Sequence, residues 1–186
     1  GMVHFNINCS DYDRSRAFYA VLGFKEVWRV PERNTREVAA AVGMPPYLVK
    51  GALLALEGAT PPVVIDLLEW KEPRDESPPY AHLYHYGIAR VALATNDMDG
   101  DMQKLTAAGA VFISEPAQMP ADSGSRARFV CFKYPSGTVL EPVENSGRCT
   151  HAERPPVARP SARSSRRAGS ALCPGLETEE GLLPLV

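Results

Sequence analysis

Residues 4–27, HFNINCSDYDRSRAFYAVLGFKEV, lie without a gap over residues 90–113, RVALATNDMDGDMQKLTAAGAVFI, when the sequence is shifted by 86 positions. Ile7 falls on Leu93, Asp11 on Asp97, Asp13 on Asp99, Gly23 on Gly109 and Val27 on Ile113. Few letters are identical, but the order of physical roles is the same in both copies. An apolar strand is followed by a capped helix start, a short amphipathic helix, a Gly stop and a second strand. Such a matched series points to an internal duplication. The copies differ at one chemically important position, where His4 of the first corresponds to Arg90 of the second.

Working outward, residues 3–9 (VHFNINC) alternate with a period of two. Phe5, Ile7 and Cys9 share one strand face, and His4, Asn6 and Asn8 share the other. Ser10-x-x-Asp13 and Asn96-x-x-Asp99 read as capping arrangements. Phe18, Val21 and Leu22 in the first helix, with Met102 and Leu105 in the second, form the expected buried stripes. Gly23 and Gly109 stop the helices. Residues 24–30, 48–56 and 63–70 then read as strands. An inserted helix of about residues 34–43 (NTREVAAAVG), capped by Asn34, separates the first two. In the second copy, residues 88–94, 111–114, 128–134 and 138–144 read as strands, with ADSGSRA as a loop.

These elements divide the chain into a βαβββ module over residues 2–70, a Pro- and charge-bearing linker over 71–86, a second βαβββ module over 87–145 and a tail over 146–186. The tail is rich in Arg, Pro, Ser and Gly without strand or helix period, so it is expected to be disordered. The fold class is α+β, built from two tandem βαβββ modules with largely antiparallel sheets.

With 45% hydrophobic and 23% charged residues and a net charge of −2, the 186-residue chain has the composition of a soluble globular protein. No apolar run could span a bilayer, and no basic segment precedes an apolar one, which implies a cytoplasmic protein without a membrane partner. Gly1-Met2 reads as the remnant of a cleaved tag. No folded element concentrates Lys and Arg, which argues against nucleic acid. Cys9, Cys131, Cys149 and Cys173 lack C-x-x-C spacing, so neither a disulfide framework nor a zinc site is expected. His82 and His85, three apart in a Pro-rich segment, read as ordinary loop histidines.

The duplicated modules, the opening SDYDRSRAFY-VLGF and the closing YPSGTVLEPVE together resemble the vicinal oxygen chelate superfamily. That group includes glyoxalase I, bleomycin and fosfomycin resistance proteins, methylmalonyl-CoA epimerase and extradiol dioxygenases. The resemblance spans about residues 3–145. It implies paired cups, a cavity that often holds a divalent ion, and a homodimer. It also implies metal ligands on the first and last strands, which fall here on His4, Asp66 and Glu141, with Arg90 at the fourth position. A guanidinium has no lone pair to give, so the implied site is degenerate. The cofactor is then either none or a divalent ion, with Zn, Mn, Fe and Ni not distinguished.

Three functional readings follow. In the first, the protein is a lyase or isomerase acting next to a carbonyl or carboxylate, with Glu141 and Arg90 catalytic and with Arg90, Asn6, Asn8 and Trp70 contacting substrate. Redox ring cleavage fits less well, since it needs an iron site with two histidines and a carboxylate. In the second, the chain sequesters a small molecule without chemistry, as bleomycin-binding proteins do. In the third, His4, Asp66, Arg90 and Glu141 form only an internal ion-pair network.

Overall fold

The computed structural model describes residues 2–120, 126–134 and 136–145. The expected tail, with Cys149 and Cys173, and most of the ADSGSRA loop lie outside the described residues. The first half runs β1 (Phe5–Asn8), α1 (Tyr12–Val21), β2 (Phe24–Val30), α2 (Arg36–Ala41), β3 (Leu48–Leu56) and β4 (Val64–Glu72). The second runs β5 (Val91–Thr95), α3 (Met98–Ala107), β6 (Val111–Phe112), β7 (Ala117–Pro120), β8 (Arg126–Phe129), β9 (Phe132–Lys133) and β10 (Val139–Asn145). β1 to β4 form one sheet in the order β1-β4-β3-β2. The other strands form a second sheet in which β5 lies parallel to β10, and β10 pairs antiparallel with both β8 and β9. The architecture is mixed α+β, as the periodicities predict.

The duplication extends to hydrogen-bond register. β1 pairs with β4 as Phe5↔Ile65, Asn6↔Asp66 and Ile7↔Leu67, and β5 pairs with β10 as Val91↔Leu140, Ala92↔Glu141 and Leu93↔Pro142. Asp66 and Glu141 therefore occupy equivalent places, each beside the residue two after His4 or Arg90. Strand alternation gives each sheet a core face, with Ile7, Ile65 and Leu67 in the first and Leu140 with partly buried Val91 and Leu93 in the second. The opposite faces carry the polar groups.

The helix starts correct the expected caps. Asp11 and Asp97 are the N-caps, accepting from the backbone N–H of Arg14 and Gly100 at 2.9 and 3.0 Å. A glutamate on the last strand of each module takes a further orphan donor. Glu69 Oε2 accepts the Tyr12 N–H at 3.1 Å, and Glu144 Oε1 accepts the Met98 N–H at 3.0 Å. Asp13 and Asp99 instead pair with cations on neighbouring strands, Lys50 at 2.6 Å and Arg128 at 2.8 Å. A carboxylate brought in by tertiary folding thus does what a capping box would do locally. Gly23 and Gly109 end the two stretches at φ 90° and 97°, a left-handed conformation that side chains disfavour.

The helix stripes also shift. Tyr12, Ser15, Phe18 and Tyr19 of α1 are buried while Val21 is exposed, and in α3 Met98 and Leu105 are buried while Met102 is only partly covered. The stripe begins one turn earlier than the apolar letters suggest, because Tyr12 and Met98 sit under the capping glutamates. Phe18 meets the second sheet, its ring centroid 4.1 Å from that of Tyr134 and 6.0 Å from that of Phe132. One core therefore draws on both halves. Thr35, not Asn34, caps α2, accepting from Val38, and Asn34 Oδ1 instead accepts the Tyr47 N–H at 2.8 Å. The expected strand 128–134 is split into β8 and β9, and β7 occupies a stretch with no strand signal. The strand expected from Ile88 begins at Val91, and β4 continues to Glu72 into the expected linker.

Candidate functional site

A cleft of about 940 Å³ opens along β1, with residues of both strand faces from Phe5 to Cys9 in its lining. Asn6, Asn8 and Ser10 contribute from β1 and the turn after it, Trp70 from β4, and Arg90 with Val91 from the start of β5. Ser136 to Thr138 line it from the turn before β10, and Val139 from the start of that strand. Its remaining wall is the segment from Pro73 to Leu83, which sequence reading treats only as a connection. Arg74 fastens that segment down. Its guanidinium pairs with Glu69 at 3.4 Å and Glu76 at 3.0 Å, and donates to the Ser10 carbonyl at 3.3 Å. Prolines and charges marked a linker, but nothing local indicated that it would fold back against β1.

All four residues expected to contact substrate, Arg90, Asn6, Asn8 and Trp70, line this cleft. Their amides are partly committed. Asn6 Nδ2 donates to the Asp66 carbonyl at 3.0 Å, and Asn8 Oδ1 accepts the Trp70 indole N–H at 2.9 Å. The Trp70 ring lies 4.8 Å from Tyr47 at an interplanar angle of 48°. Met44, brought in after α2, also lines the cleft, and no local pattern beyond the inserted helix pointed to it.

Arg90 sits at the seam of cleft and sheet. Its Nε forms an ion pair with Glu141 Oε2, and the same oxygen accepts from the Cys131 thiol at 3.4 Å. The Glu141 side chain is 11% exposed and that of Arg90 is 44% exposed, so one end of the pair is buried and the other faces solvent. Burial, followed by the neighbouring Glu141, pushes the Cys131 thiol up to about 11, which leaves it protonated and a donor at neutral pH. A fork bound through Nε keeps its terminal amino groups as donors for another oxyanion.

Asp66 is in the opposite electrostatic condition. Burial pushes its carboxyl above the usual range, and the charge of His4 and a hydrogen bond from Asn6 only partly counter this. Its Oδ1 is buried without a hydrogen-bond partner. His4 itself is exposed.

Asp66 lies on β4 of the first sheet with His4 just before β1, and Glu141 lies on β10 of the second with Arg90 just before β5. Among the described residues, no group of three or more His, Cys, Asp or Glu side chains is placed to hold a metal ion. Glu141 Oε2 is already taken by a permanent cation and a thiol, a poor environment for a divalent ion. The residues of one chain do not fit a resident metal.

The Glyoxalase/Bleomycin resistance protein/Dioxygenase superfamily matches residues 1–141, and the chain belongs to it. Solved structures agree on the fold. A glyoxalase family protein from Bacillus cereus is 20% identical, with a TM-score of 0.68 over 78% of this chain and 94% of that one. A glyoxylase/bleomycin resistance protein/dioxygenase domain from Frankia sp. is 21% identical, with a TM-score of 0.57 over 81% and 94%. The fosfomycin resistance protein FosX from Listeria monocytogenes, in a complex with Mn(II) and sulfate, is 14% identical with a TM-score of 0.50 over 77% and 91%. No curated protein matches the chain. Among the described residues, no helix is long and apolar enough to cross a membrane.

Proposed function

We propose that this chain binds a small organic molecule bearing a carboxylate or carbonyl oxygen, with Arg90 as the oxygen's partner. The observation that carries the reading is the half-exposed Arg90 guanidinium lining a large cleft while its Nε is anchored on buried Glu141. An anchored guanidinium has lost part of its rotamer entropy before the ligand arrives, which favours binding. Asn6 and Asn8 add amide groups along the same wall, suited to hydroxyl or carbonyl oxygens.

Calorimetric titration with small carboxylates and their neutral amides tests this. Wild-type protein should prefer the carboxylate, and Arg90→Met should lose that preference while keeping the fold. Equal carboxylate binding by wild type and variant would overturn the assignment.

The Arg90–Glu141 contact favours a second reading, proton abstraction beside a carbonyl. Arg90 would hold the developing enolate oxygen, and Glu141, freed from the fork as the substrate takes it, would accept the α-proton. Deuterium exchange at C3 of 2-oxo acids, the carbon beside the ketone, followed by NMR, is expected for wild type and not for Glu141→Gln. Absence of exchange across a panel of such acids leaves sequestration, of the kind bleomycin-binding proteins perform, as the function. A homodimer goes with either reading. Exposed Tyr84, Tyr86 and Ile88 support it as apolar surface suited to a second copy. Light scattering that returns a monomer mass would remove it.

A further inference from the structure

The two modules are equivalent in register, yet only the first builds an aromatic wall on the cleft. With Asp66 equivalent to Glu141 and Glu69 to Glu144, the place of Trp70 falls on Asn145 in the second module, and that of Asn8 falls on Ala94. The insertion that delivers Met44 and Tyr47 lies between β2 and β3, and no helix lies between β6 and β8 among the described residues. It is tied off as a unit. Thr35 caps α2, the Met44 N–H bonds the Ala39 carbonyl at 2.9 Å, and Asn34 holds the Tyr47 N–H.

We infer that Trp70 and Met44 form a subsite for a flat aromatic ring on the ligand, with Tyr47 as the residue that positions Trp70. Trp70 faces the cleft with its N–H already satisfied by Asn8, so what it still offers is its apolar π surface. Tyr47 packs against Trp70 but does not line the cleft, so it braces the indole from outside. Met44 supplies a polarizable thioether, which suits a ring edge. The ligand class is thereby narrowed to aromatic carboxylates or aryl-bearing carbonyl compounds. This rests on the Arg90 reading for the ligand's charge, but its ring preference is tested separately.

The test compares phenylacetate, cyclohexylacetate and acetate, which share a charge and differ in the ring. In a Trp28→Phe background Trp70 is the remaining tryptophan, and its indole N–H gives a single resonance. Phenylacetate is expected to shift that resonance and to bind about 2- to 10-fold tighter than cyclohexylacetate, the span of an aromatic pair beyond its area. By calorimetry, Trp70→Leu and Met44→Ala should reduce that ratio to near one. Tyr47→Ala should reduce it partly. Cyclohexylacetate binding as tightly as phenylacetate, a ratio unchanged in Trp70→Leu, or choline shifting the resonance in preference to phenylacetate would overturn the ring subsite. A ring preference that persists while Arg90→Met changes nothing would overturn the Arg90 reading and leave the subsite standing. Failure of all three carboxylates to bind at about 10 mM would overturn both.

Discussion

Replacing Glu69 separates its two roles, backbone acceptor and partner for cations. Its Oε2 accepts the N–H of Tyr12, the first residue of α1, while Oε1 meets Lys71 at 2.5 Å and Arg74 at 3.4 Å. Glu69 is 6% exposed and Tyr12 is 1% exposed, so Glu69→Ala leaves a buried donor that water cannot easily reach. That costs about 1–3 kcal/mol. The Lys71 and Arg74 side chains are 41% and 39% exposed and can turn to solvent, so losing their pairs adds at most about 1 kcal/mol after screening. Glu69→Ala should therefore cost roughly 1–4 kcal/mol, a fall in melting temperature of roughly 2–16 °C for a folded unit of this size. Glu69→Gln keeps an acceptor oxygen and loses only the charge, so it should cost about 1 kcal/mol or less. Urea and thermal denaturation of the three proteins decide the matter. If Glu69→Gln is as destabilised as Glu69→Ala, charge pairing and not helix capping is the function of this residue. The pH dependence follows from the same contacts. Burial raises the Glu69 carboxyl, but Lys71, the Tyr12 N–H and Arg74 together leave it below the ordinary glutamate value. Its stabilising contribution is present above that ordinary value and is lost as pH falls through the lowered one, so wild type and Glu69→Gln should converge in acid.

Asp66 should behave in the opposite sense. Its folded carboxyl is raised by burial, so its contribution is favourable below the ordinary aspartate range and is lost as pH rises through the raised value. Asp66→Asn is expected to stabilise the protein at pH 7 and not at pH 3, read by denaturant midpoints; equal effects at both would refute the burial argument. Phe18→Ala should cost about 3–5 kcal/mol, because the ring packs on Tyr134 and Phe132 of the other sheet as well as on Tyr19. A loss under about 1 kcal/mol would mean that the two halves do not share a core. Arg90→Ala leaves Glu141 without its cation and should cost about 1–3 kcal/mol, and adding Glu141→Gln should recover part of that loss. Strictly additive losses in that double-mutant cycle would show that the two side chains do not interact.

The chemistry-bearing faces were legible in the chain because strand alternation is local. His4, Asn6 and Asn8 had to share a face opposite Phe5, Ile7 and Cys9, and the repeat carried the same logic to Arg90. The placement of Asp66 and Glu141 on last strands likewise followed from strand period and resemblance. The helix caps show where such reading stops. The motif put the capping acid at Asp13 and Asp99, but in the folded chain those residues meet Lys50 and Arg128, and Glu69 and Glu144 arrive from strands far along the sequence. Local patterns cannot register an acceptor supplied by sheet pairing.

The sequence by itself determined the duplicated βαβββ plan, the α+β class and the exchange of a histidine for an arginine, because each depends on periodicity or on residue identity. Tertiary structure alone decided which groups meet. It brought Arg90 onto Glu141 and left Asp66 Oδ1 without a partner. It also folded Pro73 to Leu83 back into a cleft wall and set Met44 and Trp70 along that cleft. Those relations join residues that are distant along the chain, and their energies depend on burial and distance, which no local spacing encodes.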